Sequence, residues 1–275
     1  MQMNLSDAQI QAYQRDGVIR IEQAVKRSWI VRLNAVVDSQ LNNPSKWAND
    51  ANPDARTNRM FTDRYQWQKN EEIRAYIFES GVAGIAAQAM QSEKARFYFD
   101  HLLVKEPNTP VDTPWHQDVP YWPFLGQQIC SVWLALNDVS IDESAMEFVR
   151  GSHRARKYYL PELFGAREDH PNAWISSGEG ERVPPISDKR DDYDIIGWDM
   201  QAGDVVVFSA WILHGAGGNQ SPTKRRAAIS TRWLGDDVTW HPHAGADPTV
   251  TQANVSLKPG DLIDGEAILP EVYPA

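Results

Sequence analysis

The feature that most limits what this chain can fold into is a single change of texture, with helix-like segments before residue 95 and strand-like segments after it. "ARFYFDHLLVKEP", "QQICSVWLALNDV", "AMEFV", "DVVVFSAWILHG" and "RAAISTRWLG" are β-branched and aromatic runs bounded by Gly, Pro, Asn and Asp, as strands are. No second helical set alternates with them. That order argues against a doubly wound parallel sheet and for an antiparallel barrel or sandwich backed by helices.

The helical part is equally legible. "LSDAQIQAYQRDG" reads as a helix with Ser6 as N-cap, Gln9 completing a capping box and Gly17 as its stop. "VIRIEQ" alternates as a short strand. Val25, Trp29, Ile30, Leu33, Val36, Val37 and Leu41 recur at helical spacing, and residues 71–91 form a further helix broken near Gly81. Between them, residues 42–70 are polar and turn-rich and read as a long surface loop, with Arg56, Arg59 and Arg64 solvated. We expect one elaborated domain over residues 1–275. Residues 1–94 give a mostly helical support and loop, 95–235 the β core with an insertion at about 155–200, and 236–275 a C-terminal tail.

Charge and composition remove several function classes. The 37 acidic residues outnumber the 27 basic ones, a formal charge of −10 that repels a phosphate backbone, so no nucleic-acid partner is expected. No stretch approaches the roughly twenty apolar residues of a membrane span, and the start has no basic segment followed by an apolar run, so a cytoplasmic location is expected. Cys130 is the only cysteine; it reads as a small buried hydrophobe, and an intramolecular disulfide is impossible.

The chemistry-bearing segment is "TPWHQDVPYWPF". Residues two apart in an extended segment share a face, so His116 and Asp118 can aim an imidazole and a carboxylate at one point. A divalent ion needs a third ligand, and His214 in "AWILHGAGGN" ends a strand at a glycine-rich turn where backbone can approach closely. Two histidines and a carboxylate are the facial triad of non-haem Fe(II) oxygenases, with coordination positions left open. His101, in a strand, reads as a packed residue, His153 and His170 as solvated, and His241 with His243 as a surface loop. In "RRAAISTRW", Arg226, Ala228, Ser230 and Arg232 share one strand face, and Arg225 lies on the other. An arginine directed into a barrel is costly unless it meets an anion, and a guanidinium fork suits the far carboxylate of a bidentate co-substrate. Trp115, Tyr121, Trp122 and Phe124, crowded around the ligands, would wall the site, exclude water and offer substrate an apolar surface.

Taken in order, "HLLVKEPNTPVDTPWHQDVPYWPF", "CSVWLALNDVSIDESAMEFVRGSH", "GDVVVFSAWILHGAGGN" and "RRAAISTRW" resemble the phytanoyl-CoA dioxygenase family of Fe(II)- and 2-oxoglutarate-dependent oxygenases. The resemblance implies a mainly β fold with flanking helices, a double-stranded β-helix of the jelly-roll or cupin-like kind. It implies Fe(II) held by His116, Asp118 and His214, with no separate acid or base, and 2-oxoglutarate held by Arg226, or by Arg225 if one counts from the histidine. Trp133 and His101 fall where the family contacts 2-oxoglutarate. The activity implied is a dioxygenase consuming O2 and 2-oxoglutarate, releasing succinate and CO2, and hydroxylating an unactivated C–H of a small-molecule metabolite. The carboxylate ligand itself favours oxygenation, because halogenating relatives lack it. The chain departs from the family pattern at Glu143 and Ser144, where Asn-Gly is frequent, and at Ala216, where a serine is frequent. The alternative is a non-oxygenase metal barrel, a cupin-type isomerase or binding module, which would need the triad but not the inward arginine.

Overall fold

The computed structural model describes residues 4–53, 55, 57–160, 180–243 and 246–274. In chain order its elements are α1 (Asp7–Asp16), β1 (Val18–Ile21), α2 (Arg27–Asn42), β2 (Asn49–Ala51), β3 (Met60–Arg64), α3 (Glu71–Glu79), α4 (Val82–Met90), β4 (Ala95–Lys105), β5 (Thr113–His116), β6 (Phe124–Leu125), β7 (Ile129–Ala135), β8 (Glu147–Val149), β9 (Ile195–Gly197), β10 (Val205–Ser209), β11 (His214–Ala216), β12 (Arg226–Leu234), β13 (Thr239–Trp240) and β14 (Glu271–Tyr273). The capping box of Ser6 and Gln9 forms, and Gly17 closes α1 in the left-handed region at φ 81°. Gly81, at φ 89°, separates α3 from α4.

The strands form a major antiparallel sheet in the order β1-β10-β7-β12-β4-β3-β2, with β14 against β4, and a minor sheet in the order β5-β11-β8-β9. This is the expected double-stranded β-helix with helices on one side. Side-chain alternation divides the major sheet's residues between two cores. Leu102, Val104, Ala227, Ile229, Val132, Leu134, Val205 and Val207 pack outward with residues of α1 to α4. Trp133, Ala135, Val206, Phe208 and Ala228 point inward and meet Phe148 and Ile196 of the minor sheet. Cys130 is fully buried in the outer core.

Three expectations are corrected. Residues 42–70 are not only loop: β2 pairs with β3, and β3 extends the major sheet on β4. The polar texture hid this because the strand's polar groups are satisfied locally; buried Asp63 accepts from the Ser45 backbone N–H at 3.0 Å, and Arg59 pairs with Asp50 at 2.6 Å. Arg56 lies outside the described residues, as does His170 with residues 161–179 of the 155–200 insertion. The run "DVVVFSAWILHG" is also not one strand. β10 ends at Ser209, the chain turns, and β11 starts at His214 in the other sheet. His153 is half-buried rather than simply solvated: its Nε2 lies 3.1 Å from the Gln14 carbonyl oxygen.

Residues from 236 onward close one end. Trp240, Val250, Val255, Leu257, Ile263 and Leu269 join Tyr98, Phe99, Trp122 and Phe124 in an aromatic-rich cluster.

Candidate metal centre and anion site

The crossing between sheets positions the ligands. His214, the first residue of β11, lies opposite His116, the last of β5, and opposite Phe148 on its other side. The two imidazole rings are 4.1 Å apart, and Phe208 closes on His214 at 4.7 Å. Asp118 follows two residues after His116. The backbone N–H groups of Asp118 and Val119 both donate to the Ala210 carbonyl at 3.0 Å, tying this segment to the turn before β11. His116, Asp118 and His214 are all buried, and their ligand atoms lie within 4.8 Å of one another.

Hydrogen bonding fixes which atoms converge. The Nδ1 atoms of His116 and His214 lie 2.8 and 3.0 Å from the carbonyl oxygens of Pro114 and Ile212. A carbonyl only accepts, so each Nδ1 carries the hydrogen and each Nε2 carries a lone pair. Those Nε2 atoms lie 3.7 and 3.8 Å from Asp118 Oδ1. The other carboxylate oxygen, Oδ2, accepts from Ser131 Oγ at 2.7 Å and has Arg232 Nε at 3.9 Å. Three lone-pair donors aimed at one point, each anchored from behind, fit a divalent cation.

The protonation states agree. Burial, with His116 alongside, pushes His214 down to about 3, so its imidazole is neutral, as a ligand must be. Burial opposes the charge of Asp118, but its surroundings, the Arg232 guanidinium foremost, hold the carboxyl well below the usual range.

A second constellation lies along the inner face of the major sheet. Arg226 is buried; its Nε donates to the Ser144 carbonyl and its Nη2 to Ser144 Oγ, each at 3.1 Å, and its guanidinium carbon lies 5.8 Å from the Trp133 ring. Lys105 stands opposite it in register and donates to the Gly217 carbonyl at 2.8 Å, a carbonyl that also accepts from Ser144 Oγ at 2.6 Å. Burial lowers Arg226 to about 10; burial and the neighbouring Arg226 lower Lys105 to about 6. Ser144, at the departure from the family pattern, takes φ 78°, the left-handed conformation that glycine otherwise supplies. Arg225 turns the other way and pairs with Glu106 and Asp38 at 2.8 and 2.6 Å.

Further along, Ser230 has His101 of β4 and Trp133 of β7 on its two flanks. Tyr121 meets the His116 ring edge-on at 5.9 Å, and Trp122 packs on Phe99 at the same centroid distance. Phe124 packs against Tyr98 and Trp240, and Trp115 lies with Val149, Ile186 and Leu213. Lys105, Ser131 and the position of Arg232 beside Asp118 were not singled out from sequence. The period-two face through Arg226 includes Arg232; the others depend on cross-strand register, which carries no local signal.

The family model for phytanoyl-CoA dioxygenase (PhyH) matches residues 13–227. The chain belongs to the phytanoyl-CoA dioxygenase family. Among curated relatives, a probable phytanoyl-CoA dioxygenase of Caenorhabditis elegans is 27% identical over 169 residues, 59% of this chain and 51% of that protein. The match thus spans about half the length of that relative. The same fold occurs in the non-heme alpha ketoglutarate dependent carbocyclase SnoK from nogalamycin biosynthesis, with TM-score 0.72, 23% identity and coverage of 98% of this chain and 96% of that one. It occurs too in the epimerase SnoN, solved in complex with Fe3+, alpha ketoglutarate and nogalamycin RO, with TM-score 0.71, 21% identity and coverage of 97% and 98%. Among the described residues of this PhyH-family chain, no helix is long and apolar enough to cross a membrane.

Proposed function

We propose that this PhyH-family chain is an Fe(II)- and 2-oxoglutarate-dependent dioxygenase that hydroxylates an unactivated C–H of a small-molecule metabolite. The observation that carries the reading is the pairing of three converging lone-pair donors with a buried arginine that has no carboxylate partner among the described residues. With Fe(II) bound, the site supplies the oxidising chemistry that consumes 2-oxoglutarate and O2 and yields succinate, CO2 and hydroxylated product.

The chain's own residues divide the remaining work. His116, Asp118 and His214 would hold the metal, Pro114 and Ile212 fixing the tautomers of the histidines and Ser131 the orientation of the carboxylate. Arg226 would take the distal carboxylate of 2-oxoglutarate, with Trp133 and His101 lining its course. Tyr121 and Trp122 would keep water from the reacting face, with Trp115 and Phe124 supporting that wall from behind. All these positions lie within residues 95–235, which we take as the catalytic core of a single domain working in the cytoplasm.

A non-oxygenase metal barrel would not require Arg226. The test is conversion of 2-oxoglutarate to succinate under air with and without Fe(II). Metal-dependent conversion that disappears in Arg226→Gln is expected. Metal binding with no 2-oxoglutarate affinity at all would instead favour the barrel reading.

A further inference from the structure

Arg232 is an interior arginine that the reading above leaves unassigned. It sits on the inner face of β12, opposite Ser131 of β7, and is 6% exposed. Its Nε and Nη1 are buried without a hydrogen-bond partner among the described residues. The nearby acids are already engaged. Asp118 gives Oδ2 to Ser131 and turns Oδ1 toward the histidines. Asp247 lies 3.8 Å from Arg64 and accepts from the Thr249 backbone N–H. Asp100 accepts from the backbone N–H groups of Gln66 and Trp67. The guanidinium carbon of Arg232 lies 5.0 Å from the Phe99 ring and 5.9 Å from the Trp122 ring, so apolar faces flank a charged fork beside the metal ligands.

A buried guanidinium with empty donors is costly until an anion fills them. Its nearest carboxylate, Asp118, lies 3.9 Å away and already serves Ser131 and the metal site, so a further carboxylate would fill the empty donors.

We propose that Arg232 binds a carboxylate of the primary substrate, so that the enzyme acts on acids whose hydrocarbon part lies along Phe99 and Trp122. This rests on the dioxygenase reading. A planar two-pronged carboxylate matches the fork. The metal-facing carboxylate of 2-oxoglutarate has the same chemistry, and the experiment separates the two.

The protein is loaded with Mn(II) and 2-oxoglutarate and titrated calorimetrically with three acid–amide pairs: acetate and acetamide, phenylacetate and phenylacetamide, octanoate and octanamide. Failure of the Mn(II)–2-oxoglutarate complex to form would count against the dioxygenase reading; the remaining outcomes bear on Arg232. At least one acid is expected to bind about tenfold or more tightly than its amide. In Arg232→Met that preference should vanish while 2-oxoglutarate affinity, measured at saturating Mn(II), stays within about twofold. Arg232→Lys keeps the charge without the fork; it should retain only part of the preference, and it serves as the readout if Arg232→Met does not fold. The proposal is overturned if no acid is preferred over its amide, if the preference survives in the variants, or if Arg232→Met weakens 2-oxoglutarate about tenfold, which would assign Arg232 to the co-substrate.

Discussion

Lys105 and Arg226 face each other across the β4–β12 pair, both buried, and no ion pair joins either to a carboxylate among the described residues. The Arg226 guanidinium with the Lys105 amine beside it, and Ser144 bridging to Gly217, form a receptor for an anion. Arg225, one residue away, is spent on Glu106 and Asp38. Arg226→Gln is therefore expected to weaken 2-oxoglutarate binding roughly a hundredfold, the loss of two charge-assisted hydrogen bonds. Arg225→Gln should change it less than about threefold, as read by anaerobic titration of the metal-loaded protein.

Lys105 also sets a pH dependence of stability. Its folded value is lowered to about 6 from an ordinary value near 10.5. Between those limits the unfolded chain holds a proton that the folded chain has released, so ligand-free stability rises with pH from about 6 to about 10. Lys105→Met should remove that rise. Urea midpoints at pH 6, 8 and 9.5 check it, and parallel slopes for wild type and variant would contradict it.

Much of this architecture was legible because it is local. The capping box at Ser6 and Gln9, the stop at Gly17, the break at Gly81 and the strand alternation of "RAAISTRW" are all written within a few residues of where they act. His116 and Asp118 are read from spacing two, and Arg226 from its strand face. What spacing could not supply was which residues meet across strands. Ser131 reaches Asp118 only because β7 runs beside β12 under the metal site, and Lys105 meets Arg226 only through the β4–β12 register. The β2–β3 hairpin was hidden because its polar groups pair with one another rather than with water.

Ser131 holds the carboxylate ligand from behind. Ser131→Ala should lower Fe(II) affinity about tenfold without unfolding the chain, since such supporting hydrogen bonds are worth roughly 10- to 100-fold in metal affinity. Anaerobic metal titration reads the effect, and unchanged affinity would show that Arg232 and the backbone suffice to place Asp118.

Gly218 follows β11 at a close backbone approach: a Cβ there would lie 2.6 Å from the Thr109 carbonyl oxygen and 2.9 Å from the Pro110 carbonyl carbon. Backbone must move to admit it, and the carbonyl of Gly217 moves with it. Gly218→Ala should lower both the melting temperature and 2-oxoglutarate affinity, checked by calorimetry with and without co-substrate. Full retention of both would contradict the argued rigidity of this turn.

The central claim is that His116, Asp118 and His214 hold one ferrous ion that also binds 2-oxoglutarate. Anaerobic addition of Fe(II) and 2-oxoglutarate, followed by visible absorption, tests it most directly. A metal-to-ligand charge-transfer band is predicted in the wild type and should be absent in His214→Ala and Asp118→Ala at the same concentrations. A band of undiminished intensity in either variant would contradict the account.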